Sequence, residues 1–445
     1  MTWHVVVRIG DKDSYWPNLS ADEPRIIVLL ERQGDPWLVG NNVRTLFEDK
    51  FMIRPQGIES DLVNLAIATY TADLRIPREY SDDRWSRDLV VHLPVLDVAT
   101  WEQSSRTLHG MLDFLTGDSW EFRFRAMAGP KSSPIKPKPL AADEVCLFSG
   151  GLDSLVGAID LLNDGKRVAL VGHHGAGLTN SFQQETLSVL NGRFPDQILP
   201  FMFYVQPPKN ERTDQSGNKV KIVEGESTMR SRSILFFSLG VAVTGMLKGP
   251  TILTAAENEL ISLNVPLADS RMGSLSTRTT HPHFIARFQE LLRDLKIKSE
   301  IALPYRFQTK GEMVNGVANR SALEATVKLT MSCSHTEAGR WRGKAGQHCG
   351  YCVPCIIRRA ATTAARLDDG PYLMDVRTNP PSPETATGRD LQAFQIALER
   401  ISREKPHEAI FDVLSTGPLP PADINQYADA YRRGMEEVRC FLKSK

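Results

Sequence analysis

A short turn rich in serine and glycine places the strongest constraint on how this chain can fold. The apolar run Glu144–Phe148 has the length of one buried parallel strand, and apolar residues at helical spacing follow over Leu155–Leu162. Between them stands Ser149-Gly150-Gly151-Leu152-Asp153-Ser154. Adjacent glycines let a backbone approach a phosphate, and the N-terminus of the following helix adds partial positive charge. The pattern therefore predicts a strand, an anion-binding turn and a helix.

The side chains of this turn indicate how it could handle an anion. Ser149 and Ser154 supply hydroxyl groups, and Asp153 could orient a magnesium ion or the amides that cap the helix. A plain strand-to-helix turn with glycines is the alternative. We favour phosphate binding because the serines, glycines and aspartate stand together between a strand and a helix. The signature Gly-x-x-x-x-Gly-Lys-Ser/Thr occurs nowhere in the sequence, which disfavours a P-loop kinase or ATPase.

Four of the six cysteines form a second motif. Cys333 is followed after fifteen residues by Cys349, and Cys352 and Cys355 come after gaps of two residues each. Four thiolates satisfy the tetrahedral coordination of zinc. An iron–sulfur cluster is the alternative, but no further cysteine lies nearby and the spacing matches neither ferredoxin pattern. We therefore predict a zinc site made of these four cysteines.

The other cysteines and their neighbours give weaker signals. We expect Cys146, in the first strand of the motif, and Cys440, in the last predicted helix, to be packing thiols. His335 and His348 could replace a cysteine ligand but are not required. The pair Arg358-Arg359 follows the cysteines on a predicted helix, where it could face either an anionic ligand or solvent.

Composition excludes several classes of protein. The 445 residues predict two or three domains, and a hydrophobic content of 41% is enough for sizeable cores. Lys plus Arg and Asp plus Glu each number 53, so a generally basic nucleic-acid binder is not expected. No apolar run has the length of a membrane span, and the N-terminal residues lack signal-peptide character, so we expect no membrane partner. The cysteines are clustered as in a metal site rather than arranged as a disulfide framework, which favours a cytoplasmic protein.

The order of predicted elements divides the chain into four parts. Residues 1–128 are predicted as an N-terminal α+β domain without a chemical motif, which serves partner docking or scaffolding, and residues 129–140, rich in Pro and Lys, as a linker. Residues 141–371 alternate strand and helix, as a doubly wound, mainly parallel α/β sheet requires. Residues 372–445 predict two or three helices that cap the fold. Three isolated histidines are not expected to be ligands: His4, His92 and His109.

Ligands of doubly wound sheets bind at the carboxyl ends of the strands. Three loops are therefore candidates: His173–Gly175, the long polar segment 206–232, which could act as a lid, and Ala255–Asn258. We expect His174 and Gly175 to contribute to nucleotide binding. Lys310, near the start of a predicted helix, could contact a phosphate or be an ordinary surface lysine.

The motifs together resemble a known family. The stretch Ser149–Ser154 matches the Ser-Gly-Gly-x-Asp-Ser signature of the PP-loop ATP pyrophosphatases. Combined with the four cysteines, it resembles the QueC family, the 7-cyano-7-deazaguanine synthases, over roughly residues 144–367. Ser231-Arg232 before an apolar helix and the segment Lys310–Val314 match as well. The size and layout are similar to the QatC branch, the QueC-like proteins of the Qat anti-phage defence systems.

The resemblance implies a PP-loop fold and a particular chemistry. ATP, with Mg²⁺, would be split between its α and β phosphates, with pyrophosphate held by the segment Phe148–Ser154. The AMP would activate the carboxylate of a deazapurine, 7-carboxy-7-deazaguanine, and the zinc would be structural, beside the substrate pocket. In the QueC family ammonia then gives an amide, which further ATP dehydrates to a nitrile. The resemblance implies catalytic roles for Ser149, Asp153, Ser154, Arg232 and Lys310.

Departures from the QueC pattern favour a different acceptor. The segment Thr280–Phe284 stands where that family usually has Tyr-Pro-Asp-Cys. The spacing before Cys349 is longer than in the family, and QueC proteins are about half the size of this chain. Related defence enzymes are thought to join the acyl group to a protein amine. We therefore predict an AMP-forming carbon–nitrogen ligase that acylates a partner protein, with the oligomeric state left open. The alternatives are a nitrile synthase, a PP-loop tRNA-modifying enzyme and a non-catalytic subunit, which would require a broken turn.

Overall fold

Parallel strand pairing dominates the structure. The computed structural model describes residues 1–20, 22–31, 35, 37–50, 57–127, 139–175, 177–208, 211–213, 219–221, 225–226, 228–249, 251–267, 278–403 and 405–444. Its strands are β1 (Thr2–Ile9), β2 (Arg25–Leu30), β3 (Gly40–Asn41), β4 (Asp88–Val95), β5 (Ser119–Ala126), β6 (Glu144–Leu147), β7 (Val168–His174), β8 (Ile198–Gln206), β9 (Glu211–Thr213), β10 (Lys219–Lys221), β11 (Ile252–Thr254) and β12 (Glu300–Ala302).

Helices connect and cover these strands. They are α1 (Val43–Thr45), α2 (Ile58–Arg75), α3 (Val98–Gln103), α4 (Ser105–Thr116), α5 (Leu152–Asn163), α6 (Thr179–Arg193), α7 (Arg232–Thr244), α8 (Glu259–Leu263), α9 (Pro282–Asp294), α10 (Lys310–Gly316), α11 (Arg320–Thr326), α12 (Val353–Ala364), α13 (Arg389–Arg403), α14 (Ala409–Leu414) and α15 (Ile424–Lys443). In the part of the chain that the structure describes, no helix has both the length and the apolar character needed to cross a membrane.

The larger sheet carries the predicted turn. Its order is β12-β11-β6-β7-β8-β3, and the strands pair in parallel except for the antiparallel contact of β3 with β8. Successive residues of β6 face opposite sides, so Cys146 packs with α5 while Leu147 packs with α7. Both faces are thereby buried, which explains the continuous apolar run of β6. The predicted mixed α/β architecture with a mainly parallel sheet is confirmed.

The N-terminal region forms a second sheet of order β2-β1-β4-β5. All its strands pair in parallel, which differs from the α+β arrangement that the sequence predicted. Helix α2 packs on this sheet and on α7, and one hydrophobic cluster runs from β1 through α2 to β6. Most of the predicted linker lies outside the described residues, but Leu140 N–H donates to Met246 O at 2.8 Å. The two sheets therefore share a core.

Two helix boundaries lie at polar residues. Helix α3 gives way to α4 at Ser104, whose hydroxyl donates to Thr100 O at 2.9 Å. Side chains that bond to the backbone of the preceding turn commonly bend helices in this way. Helix α7 begins at Arg232, which places this arginine in its first turn.

The C-terminal region is helical, as predicted. Helices α13, α14 and α15 pack with α8 and α12 around a hydrophobic cluster that includes Phe394, Tyr427 and Tyr431. Helix α15 is amphipathic, and its buried face covers α12. This places the last described helix close to the segments that carry the candidate site.

One expectation about a single residue is wrong, because Cys440 is exposed rather than packed. His4 and His92, which are not expected to be ligands, are both buried. Nδ1 of His4 lies 3.0 Å from Nε2 of His92 between the parallel strands β1 and β4. Burial lowers the pKa of His92 to about 4, so this pair is neutral at physiological pH.

Candidate functional site

The turn between β6 and α5 has the conformation that its glycines permit. Gly150 has a φ of +86°, and a Cβ at this position would lie 3.1 Å from Cγ of Gln183. Gly151 is the N-cap of α5. The carbonyl of Phe148, where the strand ends, accepts a hydrogen bond from Nε2 of Gln183 at 3.1 Å. The backbone of the turn is thus fixed from α6 as well as from the strand.

Both serine hydroxyls lie within the turn. Ser149 Oγ accepts a hydrogen bond from Gly151 N–H at 3.3 Å and lies 3.2 Å from Ser154 Oγ. The Ser154 hydroxyl donates to Gly151 O at 3.0 Å. These contacts bring the two predicted hydroxyls together at the start of α5, where the helix dipole is positive.

Asp153 joins three elements of the fold. Its carboxylate forms a buried ion pair with Lys310 at the start of α10 and accepts a hydrogen bond from Nδ2 of Asn258 at 2.6 Å. Lys310 is only 4% exposed, so the alternative of a surface lysine is wrong. Asp153 does not cap the helix, because its two oxygens are taken by Lys310 and Asn258.

Glu437 of α15 holds the residues on either side of Lys310. Its carboxylate accepts hydrogen bonds from the Thr309 hydroxyl and from Gly311 N–H, the latter at 3.1 Å. A Cβ at Gly311 would clash with this carboxylate. Thr309 also closes a capping box with Glu312, which fixes the first turn of α10. The position of Lys310 therefore depends on the C-terminal helix, a dependence that no local sequence signal indicated.

The four predicted cysteines form one cluster. Their sulfur atoms all lie within 4.8 Å of one another, and Cys349, Cys352 and Cys355 are buried. Backbone N–H groups point at the sulfurs, including Cys352 N–H to Cys349 Sγ at 3.4 Å. Gly350 has a φ of +86°, and a Cβ there would clash with Met374 O. Four converging sulfurs fit a tetrahedral metal ion such as zinc.

Of the neighbouring histidines and arginines, His335 contacts the cluster, since its N–H donates to Cys333 Sγ at 3.2 Å. His348 Nε2 accepts a hydrogen bond from Ser332 N–H at 3.3 Å, and the thiol of Cys352 raises the pKa of His335. Arg358 is fully buried and donates to Asp369 at 2.8 Å, so it faces neither solvent nor a ligand as the sequence suggested. Arg359 pairs with Asp375 at 2.9 Å.

The segment before Cys333 contacts the turn directly. Met331 N–H donates to Gly150 O at 2.9 Å, and Ser332 Oγ accepts from Leu152 N–H at 3.3 Å. Nη1 of Arg358 lies 3.3 Å from the same Ser332 hydroxyl. Folding of the cysteine cluster therefore influences the turn through two residues that the sequence did not single out.

The remaining predicted residues lie on the neighbouring strand and helix. His174 ends β7, its ring lies 5.4 Å from that of Tyr204, and a Cβ at Gly175 would lie 2.9 Å from Oε1 of Gln206. Arg232 donates to His173 O at 3.4 Å. Burial, then the charge of Arg232, lowers the pKa of His173 to about 3. These groups border β7 and β8, whereas the turn, Lys310 and Asn258 form the centre of the site.

A buried ionic cluster from the N-terminal region holds the residue before Arg232. Asp73 Oδ2 accepts from both the N–H and the hydroxyl of Ser231 at 2.8 Å. Asp73 also pairs with Arg87 at 2.6 Å, and Asp118 pairs with both Arg78 and Arg87. The first turn of α7 is therefore positioned by α2 and the strands of the second sheet.

Replacing Asp73 with asparagine is expected to lower the free energy of unfolding by about 3–5 kcal/mol, because Arg87 and Arg78 lose a buried partner. Chemical denaturation would measure the change. Asp82→Asn, at an exposed aspartate of the same region, is the matched control and should leave stability within about 0.5 kcal/mol. Equal stability of the two variants would contradict a structural role for the ionic cluster.

The geometry of the site is the evidence for what this chain does. Its two main features are the glycine turn with its Lys310–Asp153 ion pair, and the cysteine cluster whose preceding segment contacts the turn. No family model matches the chain, and no curated protein matches it either.

Proposed function

We propose that this chain is a QueC-like ATP pyrophosphatase that activates a deazapurine carboxylate as its adenylate and transfers the acyl group to an amine of a partner protein. The reaction would serve anti-phage defence, as the resemblance to the QatC branch implies. The observation that carries the proposal is the direct contact between the turn and the segment of the cysteine cluster, through Gly150 with Met331 and Leu152 with Ser332. The two motifs of the resemblance thus belong to one site.

The first step uses the positive charge gathered at the turn. The N–H groups at the start of α5 and the ammonium of Lys310 would stabilise the negative charge on the departing pyrophosphate. A carboxylate oxygen of the substrate attacks the α-phosphorus, an O–P bond forms, and the bond to the β-phosphate breaks. Asp153 orients Lys310 through their buried ion pair. In the present arrangement the two oxygens of Asp153 accept hydrogen bonds from Lys310 and Asn258, so a magnesium ion at this carboxylate would have to share these oxygens with them.

The second step joins the acyl group to nitrogen. The amine attacks the acyl carbon, the C–N bond forms, and the bond to the AMP oxygen breaks. Positioning of the amine decides the product, since any well-placed amine can react with an acyl-adenylate. The cysteine cluster fits zinc, which when bound would hold the segment from Met331 to Cys355 against the turn and supply no reacting group.

An exposed aromatic residue in the cysteine segment supports a protein acceptor. Trp341 is 94% exposed and lies in the longer segment between Cys333 and Cys349. Exposed aromatic residues are frequent anchors in protein interfaces. A small acceptor such as ammonia would need no such anchor, so this residue favours the partner amine over nitrile synthesis.

Incubation with ATP, 7-carboxy-7-deazaguanine and a candidate partner protein is expected to add one deazaguanine acyl mass to the partner, measured by intact-mass spectrometry. Trp341→Ala should slow partner acylation while leaving AMP formation unchanged. The substitution Phe411→Ala, at an exposed aromatic of α14, is the matched control. Accumulation of free 7-cyano-7-deazaguanine with an unmodified partner would show ordinary nitrile synthase activity instead.

A further inference from the structure

We propose that Glu257 is the general base of the acyl-transfer step, accepting a proton from the attacking amine. The inference depends on the proposed function and assigns a residue to its second step. Glu257 lies in the loop after β11, where the backbone brings a second carboxyl group, in addition to that of Asp153, to the edge of the site.

The position of this loop is fixed on both sides. Strand β11 pairs in parallel with β6, with Thr254 opposite Cys146, so the two chains leave the sheet at the same edge. Ala256 packs so closely on α5 that a Cβ at Gly157 would clash with it. Asn258, the next residue after Glu257, holds Asp153 at 2.6 Å. Glu257 therefore stands beside the ion pair of Asp153 and Lys310.

The surroundings of Glu257 suit a base. Its carboxyl group accepts a hydrogen bond from the Thr280 hydroxyl, and the residue is half-buried beside the Asp153–Lys310 pair. Burial raises the pKa of Glu257 to about 7; the Thr280 hydrogen bond opposes this rise, the charge of Asp153 adds to it and the charge of Lys310 opposes it. A base whose pKa lies near the working pH transfers protons efficiently.

A second glutamate, the first residue of α8, lacks these properties. Glu259 is fully buried, and within the described residues neither of its carboxylate oxygens has a hydrogen-bond partner. Burial raises its pKa well above the ordinary value, and the charge that opposes this rise is that of Arg433 on α15. Glu259 is therefore protonated and packed against the C-terminal helix, and it serves as an internal control.

The proton balance of the step follows from these positions. As nitrogen attacks the acyl carbon, the C–N bond forms and AMP leaves with the electron pair of the C–O bond. The proton that the nitrogen loses moves to the carboxylate of Glu257. Only the ionised form can accept it, so the rate of transfer should fall as the pH is lowered through about 7.

The test compares Glu257→Gln with Glu259→Gln, using ATP and 7-carboxy-7-deazaguanine. Exchange of pyrophosphate into ATP reports the first step, and amide formation from ammonia reports the second. We expect Glu257→Gln to keep exchange and to lose about 10²–10⁴-fold in amide formation. After the rate is corrected for the fraction of unprotonated ammonia, the variant should also lose the decline below neutral pH. Hydroxylamine, largely unprotonated at neutral pH, should restore much of the transfer rate. Glu259→Gln should behave as the unmodified protein.

The outcomes separate the two proposals. Absence of substrate-dependent pyrophosphate exchange in the unmodified protein would refute the adenylation itself. If exchange is present and Glu257→Gln transfers to ammonia at the normal rate, only the assignment of the base is wrong. If Glu257→Gln loses exchange as well, the residue acts in the first step or in folding rather than as the base. If exchange is kept but hydroxylamine gives no recovery, the residue serves the second step in another way, such as holding the acceptor, and the assignment of the base is wrong.

Discussion

Replacing Asp153 with asparagine is expected to lower the formation of AMP and pyrophosphate at least about a hundredfold. The carboxylate is the buried counter-charge of Lys310 and also binds Asn258, so its loss releases the ammonium from the position where negative charge develops. Lys310→Met should give a loss of similar size because it removes the same charge. The rates would be measured as AMP release in the presence of 7-carboxy-7-deazaguanine.

Asp164→Asn is the control for this prediction, because Asp164 is an exposed carboxylate at the other end of α5. It should retain full activity. Circular dichroism and chemical denaturation of each variant would separate loss of chemistry from loss of fold. Release of ADP and orthophosphate by the unmodified protein, or an active Asp153→Asn variant, would be incompatible with the assigned role of the turn.

Loss of the metal should have the largest effect on stability. One zinc ion per chain is expected by elemental analysis, and Cys352→Ser or a strong chelator should remove it. Structural zinc contributes on the order of 10 kcal/mol to the folding of the segment that binds it. Because Met331 and Ser332 bond to the turn, we expect activity to fall together with resistance to proteolysis over residues 331–355.

Cys440→Ser provides the matched control, since this thiol is exposed and lies outside the cluster. It should keep the metal, the protease resistance and the activity. Iron in place of zinc would favour the iron–sulfur alternative. A folded, protease-resistant protein without any metal would contradict a structural metal site altogether.

Local patterns in the sequence were enough to predict the elements that carry the chemistry. Strand β6, the glycine turn and the start of α5 follow from residue spacing and glycine content, and the four cysteines converge as their number and spacing indicated. Such features are encoded within a few residues of one another. Their positions therefore do not depend on how distant segments of the chain pack.

The contacts that position the site could not be predicted in the same way. Glu437 is hydrogen-bonded to Thr309, which lies 128 residues earlier in the sequence. Asp73 is hydrogen-bonded to Ser231, which lies 158 residues later. A surface lysine and a buried one have the same local pattern, so Lys310 was ambiguous until its partner Asp153 was located. The two-residue strand β3 is too short for any periodicity.

The contact of Glu437 with Thr309 and Gly311 has a consequence for the order of events during synthesis. The ribosome makes the turn, the cysteine segment and Lys310 before it makes α15, and domains generally fold as the chain emerges. The hydrogen bonds that hold the lysine's helix in place can form only once residue 437 has been added. A nascent or truncated chain without α15 would therefore contain both motifs but would lack the hydrogen bonds that hold the residues on either side of Lys310.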